Sequence, residues 1–264
     1  MGGYTSRNNP KLKLIRRLRQ RKVRQETGLF LVEGIRHVGE AVAAGAELAY
    51  LCYAPEQLDS AFARDLIAKQ QAAGVPCLAV DGETFASLTE KDNPQSILAV
   101  VKQKSVLLQD LNTGNFPWGV ALVAPQDPGN IGAILRTIDA VGASGLLLLD
   151  NSVDPYHPSA VRASMGALFW LPIAQISFDE FITWVKGHHY HLVGTSAHAS
   201  LDYRQVARYE KPLIILFGSE REGLSVEQSA QCDYLIRLPM AGRVTSLNLA
   251  VAAGIVLYHV LDRS

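Results

Sequence analysis

Short apolar runs alternate with longer segments of mixed polarity along most of this chain of 264 residues. In the first part, apolar runs at residues 30–32, 48–53, 77–80 and 97–102 predict strands. Between them, segments 35–44, 57–73 and 81–88 predict helices, two of which end at a glycine. This alternation is typical of a small α/β domain of about 100 residues.

The second half shows the same alternation with more continuous apolar runs. Strands are predicted at residues 119–124, 146–149, 191–194, 213–217 and 235–238, and helices at 130–141, 158–166, 178–186, 226–231 and from 247 onwards. Strands that are apolar throughout, with helices between them, predict a mainly parallel sheet covered on both faces. We therefore predict an N-terminal domain at 1–104, a linker at 105–118 and a C-terminal domain at 119–264.

The last strand and helix enclose a loop of unusual composition. Pro239 should end the strand, because proline cannot donate to a sheet. Thr245 and Ser246 are good N-cap residues, so we expect a helix from Leu247 with Asn248 in its first turn. Backbone donors, a serine and an amide at the start of a buried helix favour either a ligand site or a capped core helix.

Charge is unevenly distributed although the formal net charge is zero. Residues 1–24 contain no acid and nine cations: Arg7, Lys11, Lys13, Arg16, Arg17, Arg19, Arg21, Lys22 and Arg24. A helix is predicted over 8–24, and a basic arm of this kind favours nucleic acid as the partner over a merely solvated helix face.

Composition excludes several other classes of protein. The three cysteines, Cys52, Cys77 and Cys232, have no metal or redox spacing and indicate a reducing, cytoplasmic location. No signal peptide and no membrane-spanning segment are predicted. His188, His189 and His191 lack companion ligands, so we expect no metal site.

Polar clusters follow three predicted strands of the second half. Asn130 and Gly132 open a helix that also carries Arg136, which would bind a ligand or pair with an acid such as Asp139. Gly218 and Glu220 lie directly after another strand; Glu220 would orient a catalytic group or RNA, or simply be an exposed acid. With the loop around Ser246 and Asn248, these clusters should meet at the carboxyl edge of one sheet, where open α/β sheets bind ligands.

These motifs resemble those of the SpoU family of RNA ribose 2′-O-methyltransferases, within the SPOUT superfamily. The resemblance rests on Asn130-x-Gly132-x-x-x-Arg136-Thr137, on Gly218-x-Glu220-x-x-Gly223-Leu224, and on Leu238-Pro239-Met240 followed by Ser246-Leu247-Asn248. Residues 30–34 resemble part of the family's substrate-binding domain. Ile138 departs from the alanine of many members, but it remains apolar.

The resemblance implies an α/β fold with a deep C-terminal trefoil knot, bound S-adenosylmethionine and a homodimer formed through the C-terminal domain. By position it assigns the cofactor site to Gly218, Leu238, Leu247, Met240 and Thr195. It assigns catalysis or substrate positioning to Arg136, Asn130, Glu220, Ser246 and Asn248.

The resulting hypothesis is an enzyme that methylates a ribose 2′-hydroxyl, with ribosomal RNA as the substrate. The alternatives are the same reaction on transfer RNA and a non-catalytic RNA-binding protein on the same scaffold. The joint presence of Asn130, Arg136, Glu220, Ser246 and Asn248 favours the enzyme.

Overall fold

The computed structural model describes residues 4–89, 96–104 and 106–264 and divides into two compact units. The first unit comprises Met1–Lys104 and Tyr156–Phe169, and the second comprises Ser105–Pro155 and Trp170–Ser264. Packing thus places segment 156–169 with the first unit. In the predicted linker, Leu111 and Phe116 are buried in the core of the second unit.

Strands and helices alternate through both units. The strands are β1 Leu29–Glu33, β2 Leu48–Tyr53, β3 Cys77–Ala79, β4 Ile97–Lys102, β5 Trp118–Val123, β6 Gly145–Leu149, β7 Ile173–Ile176, β8 His191–Thr195, β9 Leu201–Asp202, β10 Leu213–Phe217 and β11 Tyr234–Arg237. The helices are α1 Pro10–Arg17, α2 Arg21–Thr27, α3 Ile35–Ala43, α4 Ala61–Ala72, α5 Gly82–Ala86, α6 Pro128–Val141, α7 Pro158–Ala163, α8 Ala167–Trp170, α9 Phe178–Gly187, α10 Val226–Ser229 and α11 Leu249–Arg263. No helix of the described ranges is both long and apolar enough to cross a membrane.

The first unit is built on a four-stranded sheet in the order β1-β4-β2-β3. Strand β4 is antiparallel to β1 and β2, whereas β2 and β3 are parallel. The basic segment forms two helices instead of the single helix predicted over 8–24. Leu12, Ile15 and Leu18 are fully buried in the core of this unit, so the segment is part of the fold and not a separable arm.

Arg24 stabilises the break between α1 and α2. Its side chain is 1% exposed, and Nη1 donates to the carbonyls of Leu18 (2.8 Å) and Arg19 (2.7 Å). These carbonyls lie where the helix stops, so they need donors from elsewhere in the protein. A cation that sequence alone had suggested for RNA binding therefore has a structural role.

The second unit contains a seven-stranded sheet in the order β7-β6-β5-β10-β8-β11-β9, in which every neighbouring pair is parallel. This confirms the predicted parallel α/β architecture. The short strands β7 and β9 were not predicted, because four and two residues at the sheet edges carry too little periodicity. The core of the second unit includes Ile214 and Leu216 of β10 with Phe181 and Trp184 of α9.

The strand order does not follow the chain order. Strand β10 lies between β5 and β8, and β11 lies between β8 and β9, although each of them follows both neighbours in sequence. Both strands are therefore inserted between strands that precede them in the chain. The trefoil knot implied by the resemblance stays a prediction.

Replacing Arg24 by methionine should destabilise the first unit specifically. The variant keeps an apolar stem but leaves the Leu18 and Arg19 carbonyls without their donor, at a cost of about 2–4 kcal/mol. Hydrogen exchange of β1 and β4 amides, followed by mass spectrometry, measures this loss. Arg17→Met, at an exposed position of α1, should change it by less than ~0.5 kcal/mol; equal effects of the two variants would contradict the structural role of Arg24.

Candidate functional site

Four neighbouring parallel strands, β5, β10, β8 and β11, end at one edge of the second sheet. The three polar clusters predicted from the sequence lie in the segments that follow β5, β10 and β11, the first of them on α6, and Thr195 ends β8. The parallel arrangement brings together residues more than 100 positions apart. The carboxyl edge of an open parallel sheet is the place where α/β proteins bind ligands.

The loop after β10 closes tightly over Gly218. Ser219 and Gly223 exchange backbone hydrogen bonds of 3.1 and 3.0 Å, and Gly223 adopts a φ of 69°. A Cβ on Gly218 would lie 2.1 Å from the carbonyl carbon of Gly223 and 2.3 Å from the backbone nitrogen of Leu224. Since both are backbone atoms of the same loop, only glycine allows this turn.

Glu220 projects from that loop and binds the loop after β5. Its carboxylate accepts from the backbone N–H groups of Gln126 (3.1 Å) and Asp127 (3.4 Å) and from Nδ2 of Asn130 (3.3 Å). These donors lie at the start of α6, where a negative charge is favoured. Glu220 therefore holds the two loops together.

Asn130 and Asn248 extend this contact to the third loop. Nδ2 of Asn248 donates to Oδ1 of Asn130 over 3.0 Å. Oδ1 of Asn248 accepts from the backbone N–H groups of Ala250 (2.9 Å) and Val251 (3.3 Å), so Asn248 is the N-cap of α11. The predicted cap at Thr245 or Ser246 is wrong, because the chain becomes helical only at Leu249.

The contacts define a hydrogen-bonded chain, Glu220–Asn130–Asn248, which joins the loops after β10, β5 and β11. Asn130 is 8% exposed, so its amide would be costly to bury without both partners. The side-chain cap that begins α6 comes from Asp127, whose Oδ1 accepts from the N–H of Gly129 over 2.7 Å. Sequence reasoning overlooked Asp127, although an acid directly before Pro128 is a helix-start signal.

Arg136 lies apart from this chain of hydrogen bonds. It is exposed on α6, about 120° around the helix and ~9 Å along it from Asn130. The described residues include no hydrogen bond or ion pair to Arg136, from Glu220, from Asp139 or from any other group. Its guanidinium is therefore available to a ligand.

The loop between β11 and α11 has unpaired backbone groups and mostly exposed side chains. Across the described ranges, no backbone group of residues 238–247 pairs with another backbone group. Leu238 and Met240 are half-buried, whereas Ser246 and Leu247 are exposed. Free backbone donors and acceptors beside apolar side chains suit a ligand with an adenine-like ring and polar edges.

Thr195 lies at the carboxyl end of β8, the strand next to β11. It lies in register with Ile236 of β11, and its Oγ1 donates to the carbonyl of Leu216 over 3.3 Å. The five predicted cofactor residues thus lie on adjacent strand ends or on the loop between β11 and α11.

The structure divides the nine cations of the basic segment into different environments. Arg24 is buried, and Arg7 forms ion pairs with Asp81 (3.4 Å) and Glu83 (2.6 Å). Three others are half-buried and contact groups of the first unit: Lys11, Arg16 and Arg19. The exposed members on the two helices are Lys13, Arg17, Arg21 and Lys22.

No cluster of three potential metal ligands occurs among the described residues. His191 lies within 4 Å of Glu210 (3.8 Å) and Asp233 (3.9 Å) at the amino end of β8, which is the edge opposite the three clusters. The site at the carboxyl edge of the sheet offers a ligand amides, a carboxylate, hydroxyls and backbone groups.

Comparison with known proteins identifies the class to which this site belongs. Residues 117–258 match the SpoU rRNA Methylase family, and residues 9–99 match the MRM3-like substrate binding domain. A solved AdoMet-bound rRNA methyltransferase from Sinorhizobium meliloti has a TM-score of 0.89 and 38% identity, covering 98% of this chain and 96% of that one.

Two curated relatives agree with that class. The 23S rRNA (uridine(2479)-2'-O)-methyltransferase of Streptomyces viridochromogenes is 35% identical over 92% of this chain and 85% of its own length. The 23S rRNA (guanosine(2553)-2'-O)-methyltransferase of Bacillus subtilis is 28% identical over 96% and 97%. The chain belongs to the SpoU rRNA methylase family and is an S-adenosylmethionine-dependent RNA methyltransferase.

Replacing Gly218 by alanine should damage the site without touching the sheet core. The added methyl must displace the backbone at Gly223, so we expect the protein to lose ~1–3 kcal/mol of stability. S-adenosylmethionine affinity, measured by titration calorimetry, should fall at least ~10-fold. Gly187→Ala, where an added Cβ meets nothing within 4 Å, is the control; unchanged cofactor affinity in Gly218→Ala would contradict this role of the loop.

Proposed function

We propose that this protein transfers a methyl group from S-adenosylmethionine to a ribose 2′-hydroxyl of ribosomal RNA. The observation that carries the proposal is the chain Glu220–Asn130–Asn248, which joins three motif loops at the carboxyl edge of the parallel sheet. The choice of ribosomal RNA rests on the two relatives above, both named for ribose methylation of 23S rRNA, of which this chain covers 85% and 97%.

S-adenosylmethionine supplies an electrophilic methyl group on a positively charged sulfur. We assign its binding to Gly218, Leu238, Met240, Leu247 and Thr195, because these residues combine adjacent strand ends with unpaired backbone groups. In the reaction a new bond forms between the methyl carbon and the 2′-oxygen as the carbon–sulfur bond breaks. The hydroxyl proton leaves at the same time.

The residues of this chain position and polarise the hydroxyl. Arg136 is fixed in its charged form and is a poor proton acceptor, so we assign it to the RNA phosphate and to stabilising the developing negative charge on the oxygen. The proton passes to a water molecule or to that phosphate. Ser246 is exposed in the loop between β11 and α11, and we assign it to substrate positioning.

We place the protein in the cytoplasm, as its three cysteines are free, which suits a reducing compartment. RNA affinity comes in part from the exposed cations of α1 and α2, such as Lys13 and Arg17. Phosphate contacts of this kind make binding salt-dependent without giving base specificity.

Methylation of 23S rRNA transcripts tests the proposal directly. Incubation with S-adenosylmethionine, nuclease digestion and mass spectrometry should yield one 2′-O-methylated nucleoside, and transfer RNA should remain unmodified. Cofactor binding without methyl transfer to either RNA would favour the non-catalytic alternative.

Arg136→Ala should lose at least ~100-fold in single-turnover rate with saturating RNA and cofactor. Arg136→Lys should also be defective, because a point charge does not reproduce the planar fork that binds two phosphate oxygens. Calorimetry should show near-normal S-adenosylmethionine affinity in both variants. Near-normal methylation by Arg136→Ala would refute this assignment.

The exposed face of α11 supports a homodimer formed through the C-terminal domain. Val251, Ile255 and Tyr258 are exposed at helical spacing on one face, while Val256 and Val260 are buried. A contiguous apolar stripe on a terminal helix is typical of a protein interface, and a second copy of this helix matches it by two-fold symmetry.

Ile255→Glu should convert the dimer into a monomer, because the interface would bury an unpaired charge. Sedimentation at micromolar concentration measures the change, and methylation should fall with it. Val226→Glu is the matched control, since Val226 is 81% exposed on α10. A wild-type protein that sediments as a fully active monomer would contradict the homodimer.

A further inference from the structure

A cavity of the first unit lies beside α3, away from the basic helices in sequence. It has a volume of about 1080 Å³ and is lined by Arg36 and Gly39 of α3, by Gln57 and Asp59, and by Phe62 at the start of α4. All of these residues fall within the segment that matches a substrate-binding domain. That match concerns the segment as a whole and assigns no role to this cavity.

Phe62 presents an aromatic ring to the cavity. Its side chain is 56% exposed, which is unusual for a phenylalanine in a folded domain. The ring rests against Gly39, where an added Cβ would lie 3.1 Å from Cζ and 3.2 Å from Cε1. A helix is less stable with glycine than with alanine at an interior position. Here the absence of a side chain at Gly39 lets the ring of Phe62 lie against α3.

The wall that carries Phe62 is held by local hydrogen bonds. Ser60 caps α4 by accepting from the N–H of Ala63 (3.4 Å). Arg64 donates to the carbonyl of Leu58 (2.6 Å), and Oγ of Ser96 donates to the carbonyl of Gln57 (2.6 Å). The exposed ring therefore stands on an ordered turn and provides a preformed stacking platform.

The charges of the cavity favour a nucleobase over a bare phosphate. Arg36 is exposed, and the described residues offer it neither a hydrogen bond nor an ion pair. Asp59 also lines the cavity, so a carboxylate accompanies the guanidinium. Carboxylates repel phosphate but accept from the N–H groups of base edges, whereas the guanidinium suits the phosphate attached to that base.

We propose that this cavity binds an unpaired nucleotide of the RNA substrate, with its base stacked on Phe62 and its phosphate on Arg36. The proposal rests on the proposed function for the identity of the substrate. The two helices with exposed cations would bind the RNA backbone regardless of sequence. The cavity would instead select RNA in which a base is free to leave its helix.

Binding of two labelled RNAs tests the proposal on the full-length protein. The probes are a fluorescein-labelled single strand of about 12 nucleotides and a duplex of the same sequence. Phe62→Ala should weaken single-strand binding by about 10-fold and leave duplex binding unchanged. Phe62→Trp, which keeps an aromatic face, should bind the single strand like the wild type, whereas Phe62→Leu should resemble Phe62→Ala.

Matched variants separate the cavity from general effects of charge and exposure. Arg36→Gln should also weaken single-strand binding, while Lys69→Gln should not, because Lys69 pairs with Asp65 on α4 and does not line the cavity. Leu107→Ala removes another exposed apolar side chain of similar exposure and should have no effect. Wild-type affinity of Phe62→Ala for the single strand, or equal binding of both probes by the wild-type protein, would overturn the proposal.

Steady-state methylation of 23S rRNA distinguishes failure of the cavity from failure of the proposed function. Phe62→Ala should raise the KM for RNA by about 10-fold with an unchanged kcat, because the cavity lies outside the motif loops. Methylation by the wild type with an unchanged KM in Phe62→Ala would overturn the cavity and leave the enzyme assignment standing. Absence of methylation by the wild type, with the strand-specific binding loss retained, would overturn the ribosomal substrate and leave the cavity standing.

Discussion

The hydrogen-bonded chain Glu220–Asn130–Asn248 is the contact on which the geometry of the motif site depends. Its members follow three different strands of one parallel sheet: Glu220 lies in the loop after β10, Asn130 in the first turn of α6 after β5, and Asn248 at the N-cap of α11 after β11. Loss of Glu220 or Asn248 would remove a hydrogen-bond partner of the buried Asn130 amide, at a cost comparable to a lost hydrogen bond. The chain therefore connects the segments that follow three different strands.

Asn248 also connects this hydrogen-bonded chain to helix α11. Its amide oxygen caps α11, while its amide nitrogen binds Asn130. The start of α11 is thereby fixed relative to the proposed cofactor loop, and the exposed apolar face of the same helix is fixed with it. In the proposed homodimer, a single helix would link the geometry of the methyl-transfer site to the subunit interface.

The short helices α1 and α2 combine a structural role with the RNA binding that we propose for their exposed cations. The apolar side chains of α1 belong to its core, and Arg24 closes the turn between α1 and α2. The exposed cations can therefore be removed singly but the segment cannot be removed as a whole. The nucleotide site proposed beside α3 would add a different kind of recognition, since an aromatic ring stacks on unpaired bases whereas a cationic helix binds phosphates whatever the sequence.

The sequence by itself determined the α/β alternation and most of the strands, because apolar runs and turn residues act locally; the short edge strands β7 and β9 and the break between α1 and α2 escaped it. The bounds of β2, β4 and β10 agree with the predicted strands residue by residue, and the motif clusters follow strands as expected. Only the tertiary structure decided the strand order, the burial of Arg24 and the partners of Glu220. The contact between Glu220 and Gln126 spans 94 positions, and no local periodicity encodes a pairing of that range. Asn248 became the helix cap for the same reason: its place is set by Asn130, which lies 118 residues earlier in the chain.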